Sequence, residues 1–215
     1  MRTFFTCVAL LATITLTAKD IKLPEPNTKR STKSMMETLA SRHSVREFST
    51  KPLSNQELSD LCWAAFGVTR GGKFRTAPTA MNKQEIRLFV LTEKGSYEYD
   101  AQRNFLKEID RADNRKLLAK NDMKAEGKGQ DFVCQAPVGL VVVIDFDISG
   151  NRSERMMMMG CVDAGNVSEN INLYCEAAGL ATVPRATMDV EALRQVLHLT
   201  ENQLPIMNNP VGFPL

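Results

Sequence analysis

The sequence predicts one domain that mixes helices and strands, an α+β fold. Three observations predict it. Two capping boxes, Ser34-x-x-Glu37 and Ser54-x-x-Glu57, each precede apolar residues at helical spacing. Val138 to Ile144 is an unbroken run of mostly branched apolar residues, as in a strand buried on both faces. Met156 to Ala178 is long, helical in pattern and sparsely charged. A chain of 215 residues can bury one proper core. Its 27 basic and 25 acidic residues nearly cancel, so nucleic acid is not an expected partner.

The N-terminus has the pattern of an export signal. Arg2 supplies a basic start, Phe4 to Leu16 is almost uncharged, and Ala18 precedes the polar Lys19-Asp20. Residues 1–18 are therefore expected to be a signal peptide, and the protein to be exported to the periplasm or secreted. Leu16 stands where a cleavage site prefers a small residue. The apolar run is too short to span a bilayer comfortably, and no membrane span is expected in the mature chain. Removing 1–18 leaves Cys62, Cys134, Cys161 and Cys175. They lack metal-ligand spacing and are expected to be small buried hydrophobes, with a single disulfide left open in an oxidising compartment. Cys161 and Cys175 fall about four turns apart in one predicted helix, roughly 21 Å, too far to pair with each other.

Residues 19–33, with Pro24 and Pro26, form an extended leader to a domain at 34–215. Helices are expected from Met35 and after Ser54, the second carrying Leu58, Leu61, Cys62 and Ala65 on one face and ending at Gly67. The basic, glycine-rich stretch 70–76 has the composition of a mobile loop. Glu85 to Leu91 is a predicted strand, Lys94-Gly95 a turn, and Ser96 to Tyr99 the returning strand. Residues 102–130 are highly charged, with an irregular helix around Asn114 to Lys120 and closure at Gly127 to Gly129; a lid and a solvated excursion are both open. The helix from Met156 to Ala178 is apolar nearly all round and is expected to be covered on several sides, one of them by a second subunit. Its four methionines, Met156 to Met159, point different ways along a helix and suit core packing better than a metal. Asp189 caps a helix through Leu197, and Gln203 to Pro214 adds a last strand.

Three segments carry the candidate chemistry. Arg42-His43-Ser44-Val45-Arg46 offers two guanidinium groups and a hydroxyl, a set suited to a phosphate dianion; solvated surface arginines at a helix end are the alternative. Pro78-Thr79-Ala80-Met81-Asn82-Lys83-Gln84 combines a fixed turn, small residues and two carboxamides, a set suited to the edge of a flat heterocycle; an ordinary polar loop is the alternative. Gly179 to Thr187 follows the long helix, and its backbone amides can point at a ligand.

In order, these segments, together with Val162-Asp163-Ala164-Gly165, Asn170 and Val211-Gly212-Phe213-Pro214, resemble the nitroreductase family of FMN-dependent oxidoreductases across residues 35–214. The resemblance implies a three-layer sandwich, a mixed or antiparallel sheet flanked by helices, and an interlocked homodimer with two FMN sites at its interface. Arg42, His43, Ser44 and Arg46 would then belong to the phosphate and ribityl site. Pro78, Thr79, Ala80, Asn82 and Gln84 would approach the flavin of the other subunit, and the backbone at Ala186 and Thr187 its hydride-bearing nitrogen. Many relatives carry glycine at 186 or 187 and basic residues after the final Val-Gly-Phe-Pro; here Arg185 is the residue expected to compensate. No side chain is expected to be catalytic, because the flavin carries the chemistry. The implied reaction is ping-pong hydride transfer from a small-molecule donor, NAD(P)H among the candidates, to an aromatic or quinone-like acceptor. Gly95-Ser96-Tyr97-Glu98-Tyr99-Asp100 also resembles the azoline-oxidase branch, which leaves a substrate oxidase as the alternative, with a non-catalytic flavin-binding dimer as a third.

Overall fold

The computed structural model describes residues 19–119 and 130–215; the expected signal segment 1–18 and the glycines of 127–129 lie outside these. The strands and helices in chain order are β1 (Ile21–Lys22), α1 (Met35–Ser41), β2 (Phe48–Ser49), α2 (Asn55–Phe66), β3 (Val68–Thr69), β4 (Phe74–Arg75), β5 (Ile86–Thr92), β6 (Gly95–Asp100), β7 (Phe105–Asp110), β8 (Val138–Asp145), α3 (Phe146–Ser149), α4 (Glu154–Ala178), β9 (Ala181–Thr182), α5 (Val190–Val196) and β10 (Gln203–Pro214). Both capping boxes form: Glu37 accepts the Ser34 N–H (2.8 Å) and Glu57 the Ser54 N–H (2.7 Å), while each serine hydroxyl accepts from the glutamate N–H. Asp189 caps α5 through the Ala192 N–H (3.0 Å).

Among the described residues eight strands make one antiparallel sheet, ordered β1-β7-β6-β5-β8-β10-β2, with β9 also on β10. All eight residues of β8 are buried, so both faces of the strand must be covered. Leu88, Val90, Leu140, Val142 and Ile144 pack with Leu61, Ala65, Ala164 and Ile171 of α2 and α4. Phe89, Leu91, Val141 and Val143 pack the other way, with Leu118, Val133, Leu193 and Leu197. The period-2 alternation of two neighbouring strands thus generates the three layers.

Three expectations change. The 70–76 stretch is the tip of a hairpin, with Val68 paired to Arg75 and Thr69 to Phe74. Arg70, Gly71 and Gly72 turn it through left-handed backbone, and the Arg70 guanidinium stacks on Phe74 at 4.3 Å. The charged 102–130 stretch contributes β7, because a strand near a sheet margin needs only one apolar face; Leu106 is buried and Lys107 exposed. Only Cys62 and Cys175 are buried, whereas Cys134 and Cys161 are exposed, and no disulfide joins them among the described residues. Within the protomer, α4 is covered on one face, and its other face is left open where a second subunit is expected. Gly160, Ala164, Val167, Ile171 and Cys175 are buried, whereas Met158 (58% exposed), Cys161 and Val162 (57%) face outward.

A buried polar network joins α4 to the sheet. The Ser168 hydroxyl donates to Asn209 Oδ1 (2.8 Å), and Asn209 Nδ2 donates to Asn172 Oδ1 (3.2 Å) and Thr182 Oγ1 (3.4 Å). Asn209→Ala strands three buried polar groups and is expected to lower stability by about 2–4 kcal/mol. A urea titration reads this as a lower midpoint with unchanged slope. Ser34→Ala, which removes one cap on an exposed helix, should cost only about 1 kcal/mol.

Candidate functional site

The first and third segments meet. Arg42 leaves α1 with extended backbone, its N–H still bonded to the Thr38 carbonyl (2.9 Å). The chain then runs beside β9, where the Val45 N–H donates to the Thr182 carbonyl (3.0 Å). Among the described residues the side chains of Arg42, Ser44 and Arg46 make no hydrogen bond or ion pair, so three donors stand uncommitted on one short segment. His43 Nδ1 donates to the Ser41 carbonyl (2.9 Å) and holds the bend.

Arg185 takes a different place from the one its charge suggested. It is 8% exposed and engaged inward: Nη1 donates to the Leu118 carbonyl and to Asn208 Oδ1 (both 2.8 Å), Nη2 to Gln130 Oε1, and the guanidinium lies 5.5 Å from the Phe132 ring. Burial, with the Arg46 charge nearby, pushes it down to about 10. Arg185 is therefore a buried post beneath the segment, adding positive potential rather than a free fork. Asn208, fully buried, exchanges backbone bonds with Arg185 (2.9 and 2.7 Å) and donates its amide to the Thr187 carbonyl (3.0 Å). It fixes the backbone on which Ala186 is exposed and Thr187 half-buried. Asn-Asn-Pro reads locally as a turn, yet the expected last strand, Gln203 to Pro214, runs through it as β10; what the sequence does not mark is which groups the two asparagine side chains meet.

The second segment lies elsewhere in the protomer. Asp145, at the end of β8, donates its N–H to the Glu85 carbonyl (2.9 Å), whereas β9 pairs with Val211, which is opposite Val138 at the start of β8. Seven residues of strand separate the two ends, about 23 Å. The loop itself is tightly held. The Ala80 N–H donates to Asp163 Oδ2 (2.8 Å) and the Gln84 N–H to Thr79 Oγ1 (2.9 Å). Met81, Asn82 and Gln84 are all left-handed (φ 55°, 52° and 57°), a strain of about 1 kcal/mol or more each. Pro78, Met81 and Asn82 are exposed; Thr79 and Ala80 are half-buried. The Gln84 carboxamide is used locally: Oε1 accepts from Arg75 (2.9 Å), and Nε2 donates to the Lys73 carbonyl (2.9 Å) and to Asn82 Oδ1 (3.2 Å). Gln84 ties the hairpin to the loop.

Beneath this loop two acids meet. Glu85 and Asp163 are both buried, and burial together with the neighbouring Asp163 carboxyl pushes Glu85 up to about 7. Glu85, at the foot of a strand, carried no sequence signal beyond being a carboxylate next to an apolar run. A cavity of about 400 Å³ abuts the loop at Gln84 and Arg75, and one of about 490 Å³ lies between Pro52, Tyr97 and Arg115. Neither is lined by Arg42, Ser44 or Arg46.

The nitroreductase family profile matches residues 39–213. A protein of Methanocaldococcus jannaschii provisionally named nitroreductase MJ1384 is 30% identical over 186 residues, 82% of this chain and 89% of that one. A crystal structure from Ralstonia eutropha JMP134, also provisionally named a nitroreductase, superposes with a TM-score of 0.80 at 34% identity, covering 91% of this chain and 90% of that one. NADPH:FMN oxidoreductase from Vibrio harveyi, solved with NAD+, shares the fold at a TM-score of 0.60 and 19% identity, with 84% and 68% covered.

Asn208→Ala removes both the Oδ1 acceptor of Arg185 and the donor to Thr187. It is expected to speed amide exchange selectively at residues 185–188, about tenfold or more, while exchange in β5 is unchanged.

Proposed function

This chain belongs to the nitroreductase family, and from that premise we propose that it is an FMN-dependent oxidoreductase working as a homodimer. It takes hydride from a reduced donor, NAD(P)H or a functional equivalent, and passes it to a small aromatic or quinone-like acceptor in ping-pong turnover. The observation that carries this is the uncommitted donor set Arg42, Ser44 and Arg46 standing over the buried Arg185. Guanidinium pairs hold phosphate in a bidentate fashion, and no carboxylate bonds these arginines among the described residues. The set fits the phosphate of FMN. Bound there, FMN would supply hydride-transfer chemistry that no side chain in the chain provides.

The rest of the site follows from placement. The first and second segments hang from opposite ends of β8, about 23 Å apart along the strand and farther than the length of a mononucleotide, which supports the second segment's serving the ligand of another copy. Exposed apolar side chains support that copy: Met158 and Val162 on α4, Met35, Met36 and Leu39 on α1, and Met81 on the loop, all on α4 or on segments packed against it. The half-buried Thr79 and Ala80 let a planar ring come close, and the exposed Ala186 borders the same space from the third segment. General acid or base help is not required of the chain. His43 is tied to Ser41 and His198 is exposed after α5, so protons come from solvent. We further propose export through residues 1–18, which would make the physiological donor something other than a cytoplasmic nicotinamide.

Arg46→Ala should raise the FMN dissociation constant about 10- to 100-fold, as expected for charge-assisted hydrogen bonds of about 1.5–3 kcal/mol each. Equally yellow protein with unchanged affinity would remove the phosphate role. Val162→Glu should halve the mass seen by sedimentation. Anaerobic NADPH should bleach the bound flavin, and a nitroaromatic or quinone should restore its colour. A flavin that no nicotinamide bleaches would rule out such donors.

A further inference from the structure

Glu85 and Asp163 have no task in the proposed reaction, yet both are deeply buried, at 1% and 4% exposure. Asp163 reaches in from α4; Glu85 directly follows the loop residue Gln84. Their carboxyl groups face each other closely enough for Asp163 to help raise Glu85. Two ionised carboxylates have only acceptors, so a hydrogen bond between them needs a proton. Its location is settled by the other contacts. Asp163 Oδ2 is occupied as the acceptor of the Ala80 N–H (2.8 Å). Glu85 Oε2 is buried without a partner, a place where a full negative charge would be costly. Few groups oppose this assignment. Lys83, on the loop, is the cation that favours ionisation of Glu85. Asp145 at the end of β8 is occupied by Gln203 Nε2 (2.7 Å), the Asp147 N–H (3.1 Å) and Arg87.

We propose that Glu85 and Asp163 share one proton as a latch that positions the Thr79–Gln84 segment for its ligand. With the proton present, Asp163 is free to hold Ala80, and the three left-handed residues are kept in place. Without it, two like charges face each other in a buried space. Relief comes from moving Glu85 outward, which displaces the adjoining Gln84 and lets the strained loop relax. Both residues are positioning residues, since neither reaches the proposed flavin. The coupling to FMN rests on the proposed approach of this segment to the ring; the latch itself does not.

The sign follows from the raised Glu85 value. The folded state holds this proton up to about pH 7, whereas an unfolded glutamate releases it near 4.3. The latch is therefore closed below neutrality and opens as pH rises through about 7. Glu85→Gln keeps a donor to Asp163 with no proton to lose. In the apoprotein, amide exchange at Ala80, corrected for intrinsic rate, should lose about tenfold protection between pH 6 and 8.5 in the wild type and stay flat in Glu85→Gln. FMN affinity should follow: the wild type weakens about tenfold more than the variant over the same range. Parallel exchange profiles in the two proteins would overturn the latch, and divergent exchange with parallel FMN profiles would overturn its coupling to the ligand. Should neither protein bind FMN, the proposed cofactor fails while amide exchange still decides the latch. If Glu85→Gln does not fold, Asp163→Asn replaces it: with one carboxylate facing a neutral amide the Ala80 transition should be lost, and a transition that persists as in the wild type would sink the proposal.

Discussion

A strand that is apolar on both sides must be covered on both sides, and β8 imposes that requirement on the whole domain. Burying each large apolar side chain contributes about 1.5–3 kcal/mol, so neither face of β8 can be left to water. The helices α2 and α4 cover one face, and α5 with the short 3-10 turns at Arg115–Leu118 and Asp131–Cys134 covers the other. The neighbours β5 and β10 pair along nearly its full length, so its register also sets where their ends lie. The functional segments hang from those ends. Their separation within one protomer is thus a consequence of one strand's length.

Buried polar groups then refine what apolar packing leaves loose. Asn208 and Asn209 point their amides to different clients, one to the Arg185–Thr187 backbone and the other to α4 and β9. Each is satisfied, so each adds directional specificity where a Leu or Val would only fill space. Glu85 and Asp163 play the comparable role under the loop, with a difference in kind. Amide networks do not titrate near neutrality, whereas a carboxyl pair does, and only the second can make geometry depend on pH.

On the proposed reading, a single copy carries half of a binding site. The arginines of the first segment face an open surface, and the strained loop presents its residues about 23 Å away. The outward ridge of α4 runs between elements that serve both places, with Met158 and Val162 unpartnered. An apolar ridge flanked by two incomplete halves of a site is what a two-fold assembly would require of each protomer. On this view the strain at Met81, Asn82 and Gln84 is not accidental, since such backbone persists only where surrounding contacts over-determine it.

Local chemistry was legible in the sequence. Ser34, Ser54 and Asp189 announced their helices because a cap and the helix it starts are neighbours in the chain. Val138 to Ile144 announced a doubly buried strand because burial on two faces leaves no room for alternation. The family resemblance rested on ordered segments of the same local kind. What the tertiary structure decided was who meets whom. Charge alone could not show that Arg185 turns inward to Leu118, Asn208 and Gln130, that Gln84 spends its amide on a hairpin, or that Glu85 finds Asp163 across more than seventy positions. β7, and the partners of Asn208 and Asn209 within the expected last strand, were hidden for the same reason. Their conformations are stabilised by partners distant in sequence, and a periodic pattern records only which face of a segment is apolar, never what will lie against it.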